Sequence, residues 1–425
     1  MSISKDKCYI IIDLKSFYAS VECVERKLDP LTANLVVADP DRSKGTICLA
    51  ITPAMKALGI KNRCRIFEIP DNIDYVVAKP RMKKYIDVSA EIYAIYLQYI
   101  AKEDIHVYSI DEAFLDVSDY LSLYNITAHD LALKLMNDIE KKQGLRATCG
   151  IGSNLYLAKV ALDILAKHAP DYIAELDEES YKRKLWKHTP LTDFWRIGPG
   201  TARRLSSMGI LTQEDLAKAP EDVIYKQFGS VAEYMIDHAW GREPCTINEI
   251  KNYANKSHSL SCGQVLMRDY TYEEALVVLK EMVNELSLDM VANNVVSNCF
   301  SLYVGYSKNT LPSSGGSVTL QVTTNSVRVM TEAITAIYKA NIDKNTMIRR
   351  MNLSAQNIVD ECYEQYSFFV DPTIMEKDKT ISKSVNSIKD KFGKNAIFKG
   401  LDLLDEATQI ERNSQIGGHA AGEEI

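Results

Sequence analysis

The chain has 425 residues, 46% of them apolar and 25% charged, with a net charge of −7. That length exceeds what one core organises and implies roughly two to four domains of a globular protein, and no apolar run reaches the length of a membrane span. The charge argues mildly against a nucleic-acid partner, although local clusters of Lys and Arg decide that question rather than the sum.

Nine cysteines without C-x-x-C spacing and seven scattered histidines exclude a recognisable zinc site. They read as reduced thiols of a cytoplasmic protein. Residues 1–7 do not read as a signal peptide. Basic clusters stand at 79–84, at Arg196 with Arg203 and Arg204, and at 349–350.

In chain order, Tyr9-Ile10-Ile11-Ile12-Asp13-Leu14 is a short apolar strand that ends on an acid, and a helix is expected over 20–25. A strand at 35–38, a polar loop at 39–45, a strand at 46–51 and a short helix from Pro53, stopped by Gly59, follow. Residues 79–99 place Tyr85, Val88, Ile92, Ile95 and Tyr99 at helical spacing, a core stripe rather than a site.

The run from Tyr108 to Val117 puts Asp111 and Glu112 side by side in a β-prone, apolar stretch. Neighbouring strand residues point to opposite faces unless a turn or bulge re-aims one. Three carboxylates gathered at about 4 Å, Asp13 with Asp111 and Glu112, repel by roughly 4 kcal/mol per pair at intermediate dielectric. Hard divalent cations, Mg²⁺ or Mn²⁺, relieve that repulsion and create a two-metal site for phosphoryl transfer. A helix at 128–142, a strand at 148–152 and a helix at 154–163 complete an α+β unit with a mixed or antiparallel sheet.

Residues 191–210 read as an apolar helix, a Gly-Pro-Gly hairpin and a second helix, a helix-hairpin-helix whose glycines expose backbone N–H groups to a phosphate. A polar linker at 243–255 precedes a β-α-β-β-α-β arrangement over 256–358, with a Gly/Ser loop at 313–317. A basic helix is expected over 382–392.

Ser109-Ile110-Asp111-Glu112-Ala113-Phe114-Leu115-Asp116, with Ile12-Asp13 and Ser16-Phe17-Tyr18-Ala19-Ser20-Val21-Glu22, resembles the Y-family translesion DNA polymerases, in their UmuC-like bacterial branch. The resemblance implies a multidomain right hand. Its parts are a palm at 1–18 and 81–173, small fingers at 19–80, a helix-hairpin-helix thumb at 174–242, a little finger at 256–360 and a tail at 361–425.

It also implies metal ligands Asp13, Leu14, Asp111 and Glu112, with catalysis by the three acids. Nucleotide binding falls to Phe17, Tyr18, Lys56, Lys159 and Lys167, with Tyr18 as a steric gate that clashes with a 2′-hydroxyl. Pro53 and Lys56 depart from the family's common Tyr and Arg, and Lys167 stands one residue late. DNA contacts fall to Gly198, Gly200, Thr201 and Arg203, and Gln365-Tyr366-Ser367-Phe368-Phe369 resembles a peptide that docks on the sliding clamp.

The expected partners are primer–template DNA, deoxynucleoside triphosphates, the clamp and accessory subunits, in an error-prone bypass role within an SOS response. Two other classes share part of the pattern. An untemplated two-metal nucleotidyl transferase needs the acids but not Tyr18 or the thumb, and a non-catalytic clamp- or DNA-binding scaffold needs no acids.

Overall fold

The computed structural model describes residues 7–39, 45–253, 258–307, 310–361 and 372–422. The chain divides into two compact units, Met1–Tyr253 with Gly422–Ile425, and Ala254–Ala421. The clamp-like peptide, with Gln365, Phe368 and Phe369, lies outside the described residues.

The strands of the first unit are β1 (Tyr9–Leu14), β2 (Leu35–Val37), β3 (Ala50–Ile51), β4 (Val76–Ala78), β5 (Ile105–Val107), β6 (Glu112–Asp116), β7 (Ala147–Gly152) and β8 (Ile173–Leu176). Five form one sheet in the order β5-β6-β1-β7-β8, antiparallel except for the β7–β8 pair. Strand β1 sits in the middle, and its isoleucines at 10, 11 and 12 have no exposed surface. Burial on both faces contributes roughly 2 kcal/mol for each of these side chains.

Alternation along β1 sorts the sheet into two faces. Ile10, Ile12 and Leu14, with Ala113, Leu115, Cys149 and Ile151, face the helices Met82–Tyr96 and Ala128–Gln143, whose Tyr85, Val88, Ile92, Leu131 and Leu135 join the same core. Tyr9, Ile11 and Phe114 face the other way, onto Leu155, Ala158 and Leu162. Asp13 and Glu112 continue this second face by parity, since they pair directly across the β1–β6 register.

Strands β2, β3 and β4 form a separate small sheet over its own core of Val36, Cys48, Ile51, Met55 and Ile69. The strand expected at 46–51 is split here. Ile47 bridges Arg65 whereas Ala50 and Ile51 pair with β2, so the segment changes partners midway.

A third core gathers Tyr156, Tyr181, Phe194, Leu205, Leu216, Ile224 and Met235 from the helices of 155–240. The apolar helix expected before Gly198 is reduced to one 3₁₀ turn, Leu191–Asp193. Its run is too short to propagate, because it is bounded by Pro190 and by Arg196, whose φ is 67°.

The second unit carries β9 (Ser259–Tyr270), β10 (Val295–Tyr306), β11 (Ser314–Thr324) and β12 (Ile348–Gln356) in the order β11-β10-β12-β9. Helices Tyr272–Ala292 and Val327–Asn341 complete the β-α-β-β-α-β order and bury Val278, Leu279, Met282, Ile334 and Tyr338 against Leu302 and Leu353. The Gly/Ser loop expected at 313–317 is instead the start of β11. A Cβ at Gly315 would stand 2.0 Å from the Leu302 carbonyl oxygen, so glycine here permits close strand pairing rather than a turn.

The tail is ordered onto this unit. Helix Pro372–Phe392 begins ten residues before the expected start, Asn386 Nδ2 donates to the Leu288 carbonyl at 3.0 Å, and buried Asp378 accepts from Ser326 Oγ at 2.6 Å.

Candidate active site

The acids meet at the open end of the second face of the sheet. Asp13 closes β1, and Glu112 opens β6 directly opposite. Asp111 lies just outside the strand, in the hairpin between β5 and β6, where Tyr108 N–H and Ser109 N–H both donate to the Glu112 carbonyl at 3.0 and 3.1 Å. That turn re-aims Asp111, so it need not point away from Glu112 as strand alternation alone requires. Its carbonyl accepts from Leu14 N–H at 2.9 Å and its carboxylate from Ser109 Oγ at 2.7 Å.

Burial, together with the charges of Asp111 and Glu112, pushes the Asp13 carboxyl up to about 7. Burial also raises Glu112, against the pull of Lys159. Lys159 is 7% exposed and bonds Glu112 directly, with Asp163 at 3.2 Å on its other side. Two glycines bring it there. A Cβ at Gly150 would stand 2.1 Å from the Ala158 carbonyl oxygen, and one at Gly152 would stand 2.2 Å from Ala158 N. Only glycine lets helix Leu155–Val160 lie this close on β7.

The donors are hard oxygens, and Leu14 can offer only its main-chain carbonyl. An acid held near neutral pH by burial and by two like charges is a position that a cation relieves. Among the described residues, no three acidic, imidazole or thiol side chains stand at metal-holding spacing; Glu112 is drawn onto Lys159 instead.

More cations surround the acids. Lys56 Nζ donates to Ser16 Oγ at 2.8 Å, and burial lowers its pKa against the attraction of Asp13. Lys167 stands 3.8 Å from Asp163 and its charge is felt at Asp13. Lys15 was missed by sequence reasoning. Burial and the neighbouring cations, Arg146 first, bring it down to about 8, and its ammonium lies 3.0 Å from the centre of the Tyr172 ring. The one available signal was its place two residues after Asp13.

Phe17 and Tyr18 begin helix Phe17–Glu25. Phe17 is core, whereas Tyr18 is half-buried and packs on Tyr85 at 4.7 Å between ring centres. Burial raises the Tyr18 phenol and the Asp111 charge adds to it, which puts the ring beside the acids. Arg81, from the basic run at 79–84, bonds the fully buried Glu22 at 2.9 and 3.0 Å, and Lys84 pairs with Glu25 at 3.2 Å. Arg81 thus ties the start of helix Met82–Tyr96 to helix Phe17–Glu25, and Lys84 adds a surface pair between the same two helices.

Gly198 caps helix Pro199–Ser207, and a Cβ on Gly198 or Gly200 would meet nothing within 4 Å. Both glycines are exposed, Thr201 is half-buried and Arg203 is exposed. Gly198 and the first turns of this helix do not stand among the acids and lysines; they are an open surface of the same unit.

Residues 12–163 match the impB/mucB/samB family, and residues 257–368 match that family's C-terminal domain. The chain is 33% identical over 419 residues to UvrX of Bacillus subtilis strain 168, named for UV-damage repair, with 97% of each chain covered. It is 29% identical to DNA polymerase IV 2 of the same organism, over 98% of this chain and 99% of the other. Among solved structures, a Dbh–Dpo4 chimera of Y-family DNA polymerases superposes with a TM-score of 0.63 at 21% identity, over 83% of this chain and 99% of the chimera. With three acids at one end of a central sheet and relatives that span its whole length, the chain belongs to the impB/mucB/samB family and is a Y-family translesion polymerase in fold and kinship.

Proposed function

We infer that this chain is a template-directed DNA polymerase that adds deoxynucleotides to a primer 3′ end and serves lesion bypass in DNA repair, within an SOS response. The observation that carries this reading is the meeting of Asp13, the Asp111–Glu112 hairpin and Lys159 at one end of the sheet, in a chain of this family. The untemplated transferase and the scaffold have no observation in their favour.

Asp13, Asp111, Glu112 and the Leu14 carbonyl would hold two Mg²⁺ ions, for which Mn²⁺ would substitute. Bound there, the pair would supply Lewis acidity at the primer hydroxyl and the triphosphate. Lys15, Lys56, Lys159 and Lys167 would bind the triphosphate as point charges. Lys159 would exchange its bond to Glu112 for a phosphate oxygen as the nucleotide arrives. Tyr18 would lie under the sugar and exclude a 2′-hydroxyl, with Phe17 fixing the helix beneath it.

Gly198, Gly200, Thr201 and Arg203 would position the duplex through phosphates without reading sequence. The outer face of the second unit, with Ser261, Ser301, Ser354 and Thr319, carries small polar groups suited to a second grip. The division into palm, fingers, thumb and little finger, membership of the UmuC-like branch, accessory subunits and a cytoplasmic location belong to the same reading; no helix among the described residues is long and apolar enough to cross a membrane. Gln365, Phe368 and Phe369 would dock on the sliding clamp, and a triple alanine variant should lose clamp capture while keeping clamp-free extension.

The test is primer extension with Mg²⁺. Asp111→Asn with Glu112→Gln should lower extension by about a thousandfold or more. Unchanged extension would overturn the site.

A further inference from the structure

The segment that leads into helix Pro199–Ser207 touches the hairpin that carries the acids. Trp195 Nε1 donates to Tyr108 Oη at 3.1 Å, and the two rings meet edge-on at 6.0 Å and 75°. Both also pack on Phe114, at 5.7 and 6.1 Å.

Trp195 stands just before Gly198, the cap of helix Pro199–Ser207. Its neighbour Arg196 has a left-handed φ of 67°, uncommon for a residue with a Cβ, and its guanidinium covers the Trp195 and Tyr234 rings at 4.8 and 5.2 Å. Such backbone persists where the surroundings over-determine it, and it clusters at functional sites.

At the other end, Tyr108 opens the acid hairpin through its N–H bond to the Glu112 carbonyl, and its ring lies 5.9 Å from Lys159 Nζ. Lys159 in turn bonds Glu112. Tyr108 is 45% exposed, so burial alone does not fix the ring; the indole donor and the edge contact do.

We propose that Tyr108 and Trp195 are positioning residues that couple seating of the duplex on the start of helix Pro199–Ser207 to the placement of Lys159 and Glu112. The proposal rests on the polymerase reading. It makes turnover depend on how much duplex the enzyme holds, because the start of that helix and the acid hairpin shift together. A cycle of variants measures this coupling.

The experiment uses the full chain with Tyr108→Phe, Trp195→Phe and the double variant, on primer–templates of increasing duplex length. Each substitution removes one side of the hydrogen bond and keeps an aromatic ring. Wild-type kcat should rise with duplex length. Each single variant should lose that rise, with kcat on the longest duplex down about fivefold to tenfold, the nucleotide KM raised because Lys159 also meets the triphosphate, and the Kd for duplex alone unchanged. The double variant should be no worse than either single. Retention of the wild-type length dependence in the variants overturns the proposal, as do single effects that multiply in the double variant together with a lowered Tm, the mark of a merely structural contact. Absence of any templated extension by the wild type would sink the polymerase reading instead.

Discussion

Lys159 and Glu112 form an ion pair whose side chains retain only 9% and 10% of their surface. Removing one member of such a pair leaves the other charged and dry, at a cost of about 3–5 kcal/mol. Lys159→Ala should therefore lower the unfolding free energy read from urea melts by that amount in the absence of divalent cations, and added Mg²⁺ should restore part of it by taking the place of the ammonium. Unaltered stability would mean that Glu112 is already solvated or protonated.

Tyr18 gives a second prediction at this scale. Tyr18→Ala should cut the preference for deoxynucleotides over ribonucleotides by about a hundredfold, the size of effect that one misfitting group produces in a packed pocket. If single-nucleotide incorporation shows the preference unmoved, the gate lies elsewhere. Asp13, Asp111 and Glu112 were legible as chemistry because acids in apolar strands are costly. Lys15 was not, because a lysine beside an acid looks like an ordinary surface neighbour until burial and three other cations are seen around it.

Helix Tyr272–Ala292 buries Glu281 at 1% exposure, where the carboxylate accepts from Thr408 N–H, Thr408 Oγ1 and Gln409 N–H. Burial raises its pKa above the usual 4.5, more than these donors lower it. A raised carboxyl favours the folded state while protonated. Its contribution is thus fully present below pH 4.5 and is lost as pH rises through the raised value. Hydrogen exchange at the Thr408 and Gln409 amides should quicken as pH rises through that window, beyond the intrinsic base catalysis, and Glu281→Gln should flatten this excess. Glu281→Ala leaves the two amides unpaired and should expose them at a cost of about 2 kcal/mol. If protection in the Ala variant matches wild type, the tail is held by other contacts.

Elements with a clear period, such as β1 and the helix carrying Tyr85, Val88 and Ile92, were legible in the sequence. Gly315 and Gly316 misled because glycine signals a turn by composition and a close approach only by contact. The docked tail was hidden for the same reason: Thr408 becomes informative only once Glu281 faces it.

At the scale of the molecule, a chain of net charge −7 must hold a polyanion by segregating its cations. Net charge was silent on function because folding decides which basic residues remain available. Arg81 and Lys84 are committed to Glu22 and Glu25. Arg204 bonds the Gln227 carbonyl and covers the Phe228 ring at 4.4 Å. Arg203, its neighbour in sequence, is exposed on the same helix, Pro199–Ser207.

The two adjacent arginines therefore make a contrast that sequence alone cannot draw. Arg203→Ala should weaken duplex binding uniformly across sequences and reduce the slope of log K against log salt by about one. Arg204→Ala should leave the slope unchanged and act, if at all, through stability. Fluorescence anisotropy of a labelled duplex across a salt series separates the two. Equal slopes for both variants would remove the start of helix Pro199–Ser207 from the phosphate contacts and shift the grip to another surface.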